Sequence, residues 1–376
     1  MKFCSATAEQ NFKILLFSYL QAKKPVMMNK CKPLLLFTCL FSLTTFSQQT
    51  YTNPLKPAGP DPWVLYQNGW YYFMGTAGRD QLRLSRTKNL ANLAKAEDKV
   101  VFAPEAGKPY SKQLWAPEVH YLDNKWYIYF AADEGNNLHH RIWVLENKNE
   151  DPFTGDWELK GKLGDPEDHW AIDLTVIDYK GKRYAAWSGW EHYNNVQQNI
   201  YIAELENPWT MKGDRVLLSV PTYEWELHGK VPVQWQKNTG EPPFLRINEG
   251  PQFLEHNNKL FIVYSANACW EDYNLGLLIL NKDDVLNPAS WKKHPNPVFV
   301  QSPEDSVFAP GHNSFFKSPD GKEDWIIYHA NPTPDAGCGN RRAPHMQKFS
   351  WTREGLPYFG KPVGKKPLPV PSGTTE

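Results

Sequence analysis

Five times along this chain a polar residue opens a run of apolar positions, a turn built from Asn, Asp, Gly or Lys follows, and an aromatic-rich run returns. The runs are DPWVLYQNGWYYF from Asp61, EVHYLDNKWYIYF from Glu118, DLTVIDYKGKRYAAW from Asp173, EGPQFLEHNNKLFIVY from Glu249 and HNSFFKSPDGKEDWIIYH from His312. Apolar runs of strand length separated by turn residues read as antiparallel hairpins. A third run follows each hairpin: QLRLSR, RIWVLEN, NIYIAELEN, LGLLILNKDD and HMQKFSWTREG. Several of these lead through a polar turn to a Trp, as in DPFTGDW, NPWT and NPASW.

Successive copies lie roughly 50 to 75 residues apart, the spacing of a blade of several antiparallel strands rather than of a meander of hairpins. The pattern therefore predicts an all-β chain folded as a five-bladed β-propeller. An all-β protein with unrelated alternating runs is the plainer alternative; the recurrence of a polar residue at each hairpin start favours the propeller. Five blades about one axis would place Asp61, Glu118, Asp173, Glu249 and His312 at equivalent positions facing one end of a central channel.

The N-terminal segment belongs outside that fold. Lys30 and Lys32 precede the apolar stretch PLLLFTCLFSLTTF, and Thr45 and Ser47 stand at the −3 and −1 places of a small-residue cleavage site. This is the pattern of a secretory signal, too short for a comfortable membrane span. Cys39 within the stretch raises a lipoprotein reading, but no small-residue box precedes it. Residues 1–47 are accordingly read as extension and signal peptide, and 48–376 as a single propeller. The expected location is secreted or periplasmic.

At 376 residues with 41% hydrophobic content, the chain can bury a large core. Lys plus Arg and Asp plus Glu balance at 41 each, so nothing points to nucleic acid. The 16 Trp and 18 Tyr suit blade packing and also the stacking of sugar rings on flat apolar faces. Beyond the signal only Cys269 and Cys338 remain. In an oxidising compartment two cysteines can pair; both follow hairpins of neighbouring blades, and the sequence leaves pairing open.

Hydrolysis of a glycosidic bond needs two carboxyl groups flanking it, one protonated to assist the leaving oxygen and one ionised to activate water or attack. Any one acid at a strand start is accounted for by bonding to turn amides. Several brought together at a channel mouth are costly to bury without partners and point to an arranged site.

The residues at these places resemble glycoside hydrolase family 43, and within it the secreted exo-acting α-L-arabinofuranosidases. The resemblance runs from about Asn53 to Val363. It rests on Asp61-Pro62, on WAPEV from Trp115, on AIDLTV around Asp173, on NEGP from Asn248, and on PGHNSFFKSPDGKEDWIIYH from Pro310. It implies inversion at the anomeric carbon, with Asp61 as the base that polarises water, Glu249 as the acid that protonates the leaving oxygen, and Asp173 as an ionised neighbour that raises the Glu249 pKa by like-charge repulsion. Inversion expects a gap of roughly 6.5 to 9.5 Å between the base and acid carboxyls. The family often has Pro after the tuning Asp; Leu174 stands there instead, which weakens that one assignment.

The same resemblance marks three binding candidates. Trp115 is placed to stack on sugar, or else to fill core. Arg342 reaches a sugar hydroxyl or a carboxylate, with Arg341 on the other side of an extended run. His312 either supports the site by hydrogen bonding or binds a Ca²⁺ ion through water, since hard cations want several oxygens. No cofactor is required. Glu118 falls at a place that is more often structural in relatives. The segment TYEWELHGKVPVQWQKNTGEPPFLRI, just before Glu249, is expected either to wall the cleft or to be a surface excursion.

The functional expectation is a monomeric enzyme that removes terminal α-L-arabinofuranosyl residues from plant cell-wall polysaccharide or arabino-oligosaccharides. A β-xylosidase or endo-arabinanase of the same family is the nearest alternative, and a non-catalytic carbohydrate-binding propeller the more distant one.

Overall fold

A computed structural model describes residues 49–375 apart from 79, 196, 232, 234, 235, 238–242, 270 and 271. The extension and signal peptide read over residues 1–47 lie outside the described residues, as does Trp235 in the long segment before Glu249.

Almost all regular structure is β. After β1 (Thr50–Thr52), blade 1 is built from β2 (Trp63–Gln67), β3 (Trp70–Met74), β4 (Leu82–Thr87) and β5 (Glu97–Phe102). Blade 2 comprises β6 (Lys112–Leu122), β7 (Lys125–Asp133), β8 (Arg141–Asn147) and β9 (Glu158–Leu163). Blade 3 is β10 (Ala171–Tyr179), β11 (Lys182–Gly189), β12 (Gln197–Asn207) and β13 (Thr210–Ser219), followed by the short β14 (Gly229–Lys230). Blade 4 has β15 (Phe244–His256), β16 (Lys259–Ala266), β17 (Asn274–Leu280) and β18 (Trp291–Lys293). Blade 5 has β19 (Phe308–Lys317), β20 (Asp324–Asn331), β21 (Ala343–Trp351) and β22 (Pro357–Tyr358), and β23 (Pro367–Pro369) ends the order. Within each blade the four strands pair antiparallel in chain order.

The first strands of the blades pack on one another in a ring: β2 on β6, β6 on β10, β10 on β15, β15 on β19, and β19 back on β2. The five-bladed propeller expected from the repeat is therefore the fold observed. Its core is distributed as one apolar cluster between each pair of adjacent blades. Strand periodicity explains this directly. In β7, Tyr127, Tyr129 and Ala131 face blade 3, whereas Trp126, Ile128, Phe130 and Ala132 face blade 1. Both faces of the second strand are buried, so it reads as an unbroken apolar run instead of an alternating one.

The sequence pattern did not show how the first and last strands of the propeller meet. β1 pairs antiparallel with β23, and Tyr51, Leu368 and Val370 pack with Tyr71, Phe316 and Trp325 where blade 5 meets blade 1.

Candidate active site

The first strands of blades 2 to 5 are interrupted at the same place. In β6, β10, β15 and β19 the register skips two residues, at Trp115/Glu118, Ile172/Thr175, Glu249/Gln252 and Gly311/Ser314. The residues in these bulges include Ala116, Asp173, Gly250 and His312, with φ of 41°, 58°, 54° and 47°; Asp61, just ahead of β2, has φ 55°. A bulge re-aims a side chain out of the sheet, and left-handed backbone at Asp or His costs on the order of 1–3 kcal/mol that the surrounding ring must offset.

This register corrects the five-fold equivalence expected from the sequence. Asp61, Asp173 and His312 do occupy one structural position. Glu249 lies one residue earlier, in register with Trp115 and Ile172. Glu118 lies two residues later, level with Thr175, Gln252 and Ser314. There it is buried, accepting hydrogen bonds from Gln252 and from the His120 ring at 2.9 Å. Burial pushes its pKa up. Thr175 donates to Gln252 at 3.2 Å, which joins three blades through polar side chains. Glu118 is thus a structural member of the channel.

Asp61, Asp173, Glu249, His312, Trp115 and Arg342 all line one cavity of about 350 Å³, together with Thr76, Trp170, Ile172, Ile247, Asn340 and the cysteines. That volume is at the small end of ligand pockets. Cys269 and Cys338 are disulfide-bonded. The bond ties the loop after β16 to the loop after β20 and forms part of the cavity wall.

Asp61 is held ionised. One carboxylate oxygen accepts from Arg342 Nη1 at 2.8 Å and the other from Thr76 Oγ1 at 2.6 Å. Burial alone would raise its pKa, but Arg342, the neighbouring imidazoles and Thr76 hold it far below the usual carboxylate range. His312 Nδ1 and His329 Nδ1 lie 3.4 and 3.5 Å from the same oxygen. Burial pushes both imidazoles towards neutrality, so Arg342 supplies the compensating charge. His329 Nδ1 also accepts the Asp61 backbone N–H at 3.1 Å, which fixes the imidazole orientation beneath the strained residue.

Glu249 and Asp173 move the other way. Burial pushes Glu249 up to about 7, with the Asp61 charge adding to it and Tyr273 and Arg342 opposing. Asp173 is also raised, by burial first and then by the charges of Glu249 and Asp61, against a single hydrogen bond from the Gly250 N–H at 3.0 Å. The like-charge repulsion between Asp173 and Glu249 acts on Asp173 as well, beside its burial.

The apolar side of the cavity is aromatic. Trp115 stacks on the buried His140 with ring centroids 4.1 Å apart, and His140 bears on Asp133 at 2.8 Å. Trp170 stacks on Trp190 at 4.4 Å. Trp115 both faces the cavity and packs on the cluster between blades 2 and 3, so the two readings of it are compatible. Arg341 faces a different cleft, with Asn53 and His345. From the long segment before Glu249, Leu245 and Ile247 line the cavity. Tyr223 and Trp225 stack on each other away from it, and Glu226 is buried there against Lys293, Tyr264 and Asn248.

Among the described residues no group of three or more His, Cys, Asp or Glu side chains is arranged to hold a metal ion. His312 is a single imidazole whose Nδ1 faces Asp61 and Asp173, at 3.4 and 3.9 Å. A hard cation beside it would have to draw most of its ligands from water, and no step below depends on one.

Three residues at the site carry no signal in the repeat: Thr76, Tyr273 and His329. His329 closes the fifth hairpin motif, but nothing in that pattern aims it at Asp61. Thr76 and Tyr273 come from loops, where periodicity says nothing about direction.

Residues 51–357 match the sequence profile of Glycosyl hydrolases family 43. An extracellular exo-α-(1→5)-L-arabinofuranosidase of Streptomyces avermitilis is 36% identical over 330 residues, covering 85% of this chain and 65% of that protein. This chain therefore spans about two thirds of that relative's length. A protein of the same name from Streptomyces chartreusis is 34% identical over 74% of this chain and 82% of its own length. The crystal structure of an α-L-arabinofuranosidase from Lactobacillus brevis superposes with a TM-score of 0.76 at 36% identity, over 84% of this chain and 98% of that one.

Proposed function

This chain belongs to glycosyl hydrolase family 43, and from that premise we propose that it is an inverting glycoside hydrolase releasing terminal α-L-arabinofuranosyl residues from arabinan or arabinose-bearing plant polysaccharide. The observation that carries the reading is the opposed protonation of two buried carboxyls on one small cavity: Asp61 ionised by Arg342, and Glu249 held near 7.

In this reading Asp61 accepts a proton from a water that attacks the anomeric carbon from one face of the sugar. Glu249 gives its proton to the departing glycosidic oxygen on the other. An acid with a pKa near 7 is protonated over the mildly acidic range and still strong enough to transfer the proton. Asp173 shares the proton economy of Glu249 and keeps the pair from fully ionising. Arg342 and Thr76 use the Asp61 oxygens and thereby aim the base. His312 fills the space between Asp61 and Asp173 as a neutral imidazole. Trp115 offers an apolar face to the bound sugar ring.

Relatives named extracellular support export of this chain, and residues 1–47, as extension and signal peptide, would direct it. Among the described residues no helix is long and apolar enough to cross a membrane.

The test is sugar release by the purified chain from linear arabinan, arabinoxylan and xylo-oligosaccharides, with Asp61→Asn as control. Arabinose as the sole early product, absent with the variant, is the expected result. Xylose or longer arabino-oligosaccharides would assign the xylosidase or endo-arabinanase activity instead. Binding without any product would assign a carbohydrate-binding propeller.

A further inference from the structure

Among the described residues, the side-chain hydrogen bond made to Glu249 comes from outside the repeat. The Tyr273 hydroxyl donates to Glu249 Oε1 at 2.9 Å. Tyr273 stands just ahead of β17, in the loop anchored by the Cys269–Cys338 disulfide, and only 2% of its surface is exposed. Its ring lies parallel to the His329 imidazole, with an interplanar angle of 4° and centroids 5.6 Å apart. His329 in turn accepts the Asp61 backbone N–H. A continuous line of contacts therefore runs from Glu249 through two parallel rings to Asp61.

The backbone of blade 5 is shaped to admit this arrangement. Gly311, at the bulge of β19, sits against the Tyr273 ring so closely that a Cβ there would lie 2.2 Å from a ring carbon. Only glycine leaves that space. The phenol is itself held as the neutral donor by burial and by the charges of Glu249 and Asp173.

We propose that Tyr273 is a positioning residue for the acid: its hydroxyl fixes Glu249 Oε1, leaving the other oxygen to carry the transferable proton, and its ring on His329 sets the separation between acid and base. The proposal rests on the acid and base assignment above. Carboxyl separation decides whether water and sugar fit between the two groups, so a rigid spacer between them acts on the chemical step more than on binding. A hydrogen bond donated to a carboxyl also favours its ionised form, so removing the donor moves the acid's titration to higher pH.

The experiment compares Tyr273→Phe, which keeps the ring and removes the donor, with wild type, Glu249→Gln and Gly311→Ala. Substrates are an arabino-oligosaccharide and an aryl α-L-arabinofuranoside with a good leaving group. Tyr273→Phe is expected to lower kcat on the oligosaccharide by about tenfold or more, to leave KM within about twofold, and to shift the alkaline limb of the pH profile upwards. The aryl substrate should lose much less. Gly311→Ala should show the kcat loss more severely if it folds; Tyr273→Phe, which removes one oxygen and adds no bulk, keeps the test decisive if it does not. A Tyr273→Phe enzyme with wild-type kcat and an unmoved alkaline limb overturns the proposal, as does an equal loss on both substrates with no shift of the limb. If Glu249→Gln itself loses nothing on the oligosaccharide, the acid assignment falls, and this inference falls with it for that separate reason.

Discussion

Asp61 and Glu249 are both buried carboxyls, and their neighbours push them apart. Arg342 and Thr76 occupy the oxygens of Asp61, whereas Glu249 is buried with the Tyr273 phenol as donor and the Asp61 charge opposing its ionisation. The pH dependence follows from this. Below about pH 7 Glu249 keeps its proton while Asp61 stays ionised, so kcat/KM should hold there and fall as pH rises through about 7. Glu249→Gln should lose roughly a hundredfold or more on arabinan and far less on an aryl glycoside, measured by steady-state rates. The same substitution has a stability signature of opposite sign. A carboxyl whose folded pKa is raised from 4.5 to about 7 contributes stability below pH 4.5 and loses it as pH climbs through 7. Glu249→Gln should therefore melt higher than wild type at pH 8, with the gap closing towards pH 5, as read by calorimetry. Asp61→Asn should remove turnover on every substrate while a cooperative melt persists, because Asn retains an oxygen for Arg342. Asp61, Asp173 and His312 could be found from sequence because each opens a hairpin from a residue with left-handed backbone at the same place in its blade. Glu118 also opens an apolar run, yet the bulge that sets direction lies before it. A two-residue offset in register cannot be seen in a pattern of period two.

At the level of elements, the active site depends on loops as much as on strands. The disulfide joins the loop that carries Tyr273 to the loop that carries Asn340 and Arg342. Cross-linking residues 69 apart in sequence stabilises by about 4 kcal/mol on chain-entropy grounds. It also limits movement of the partners of acid and base. Reduction, or Cys338→Ser, should thus lower both the melting temperature and kcat/KM, and an activity loss at temperatures well below the melt would separate the two effects. The strands themselves were legible because each blade buries both faces of its second strand and punctuates its hairpins with Asn, Asp or Gly. Tyr273 and Thr76 were not, since their direction is set by the disulfide and by turns. The segment before Glu249 gave a mixed result: Leu245 and Ile247 line the cavity, while Tyr223 and Trp225 pack elsewhere.

For the whole molecule, closure of the ring is what brings side chains from five blades to one cavity. Each blade interface is a separate apolar cluster, and the interface between blades 5 and 1 is reinforced by β1 and β23. Removing residues 366–375 deletes β23 and uncovers Tyr51, whose burial with Leu368 and Val370 contributes on the order of several kcal/mol. That truncation should lower the melting temperature by about 5 °C or more, and activity should fall with the fold because Asp61 and Arg342 meet across this junction. The terminal pairing was invisible in the sequence because β1 and β23 are three residues each and carry no alternation.

The central claim is that water attacks from the Asp61 side while Glu249 protonates the opposite face, in a single displacement. Proton NMR of the first turnovers on an α-L-arabinofuranoside, taken before the product mutarotates, reads this directly. Initial appearance of β-arabinofuranose is the predicted result. Initial α-arabinofuranose would mean a double displacement through a covalent intermediate, and the assignment of Asp61 and Glu249 as base and acid would be wrong.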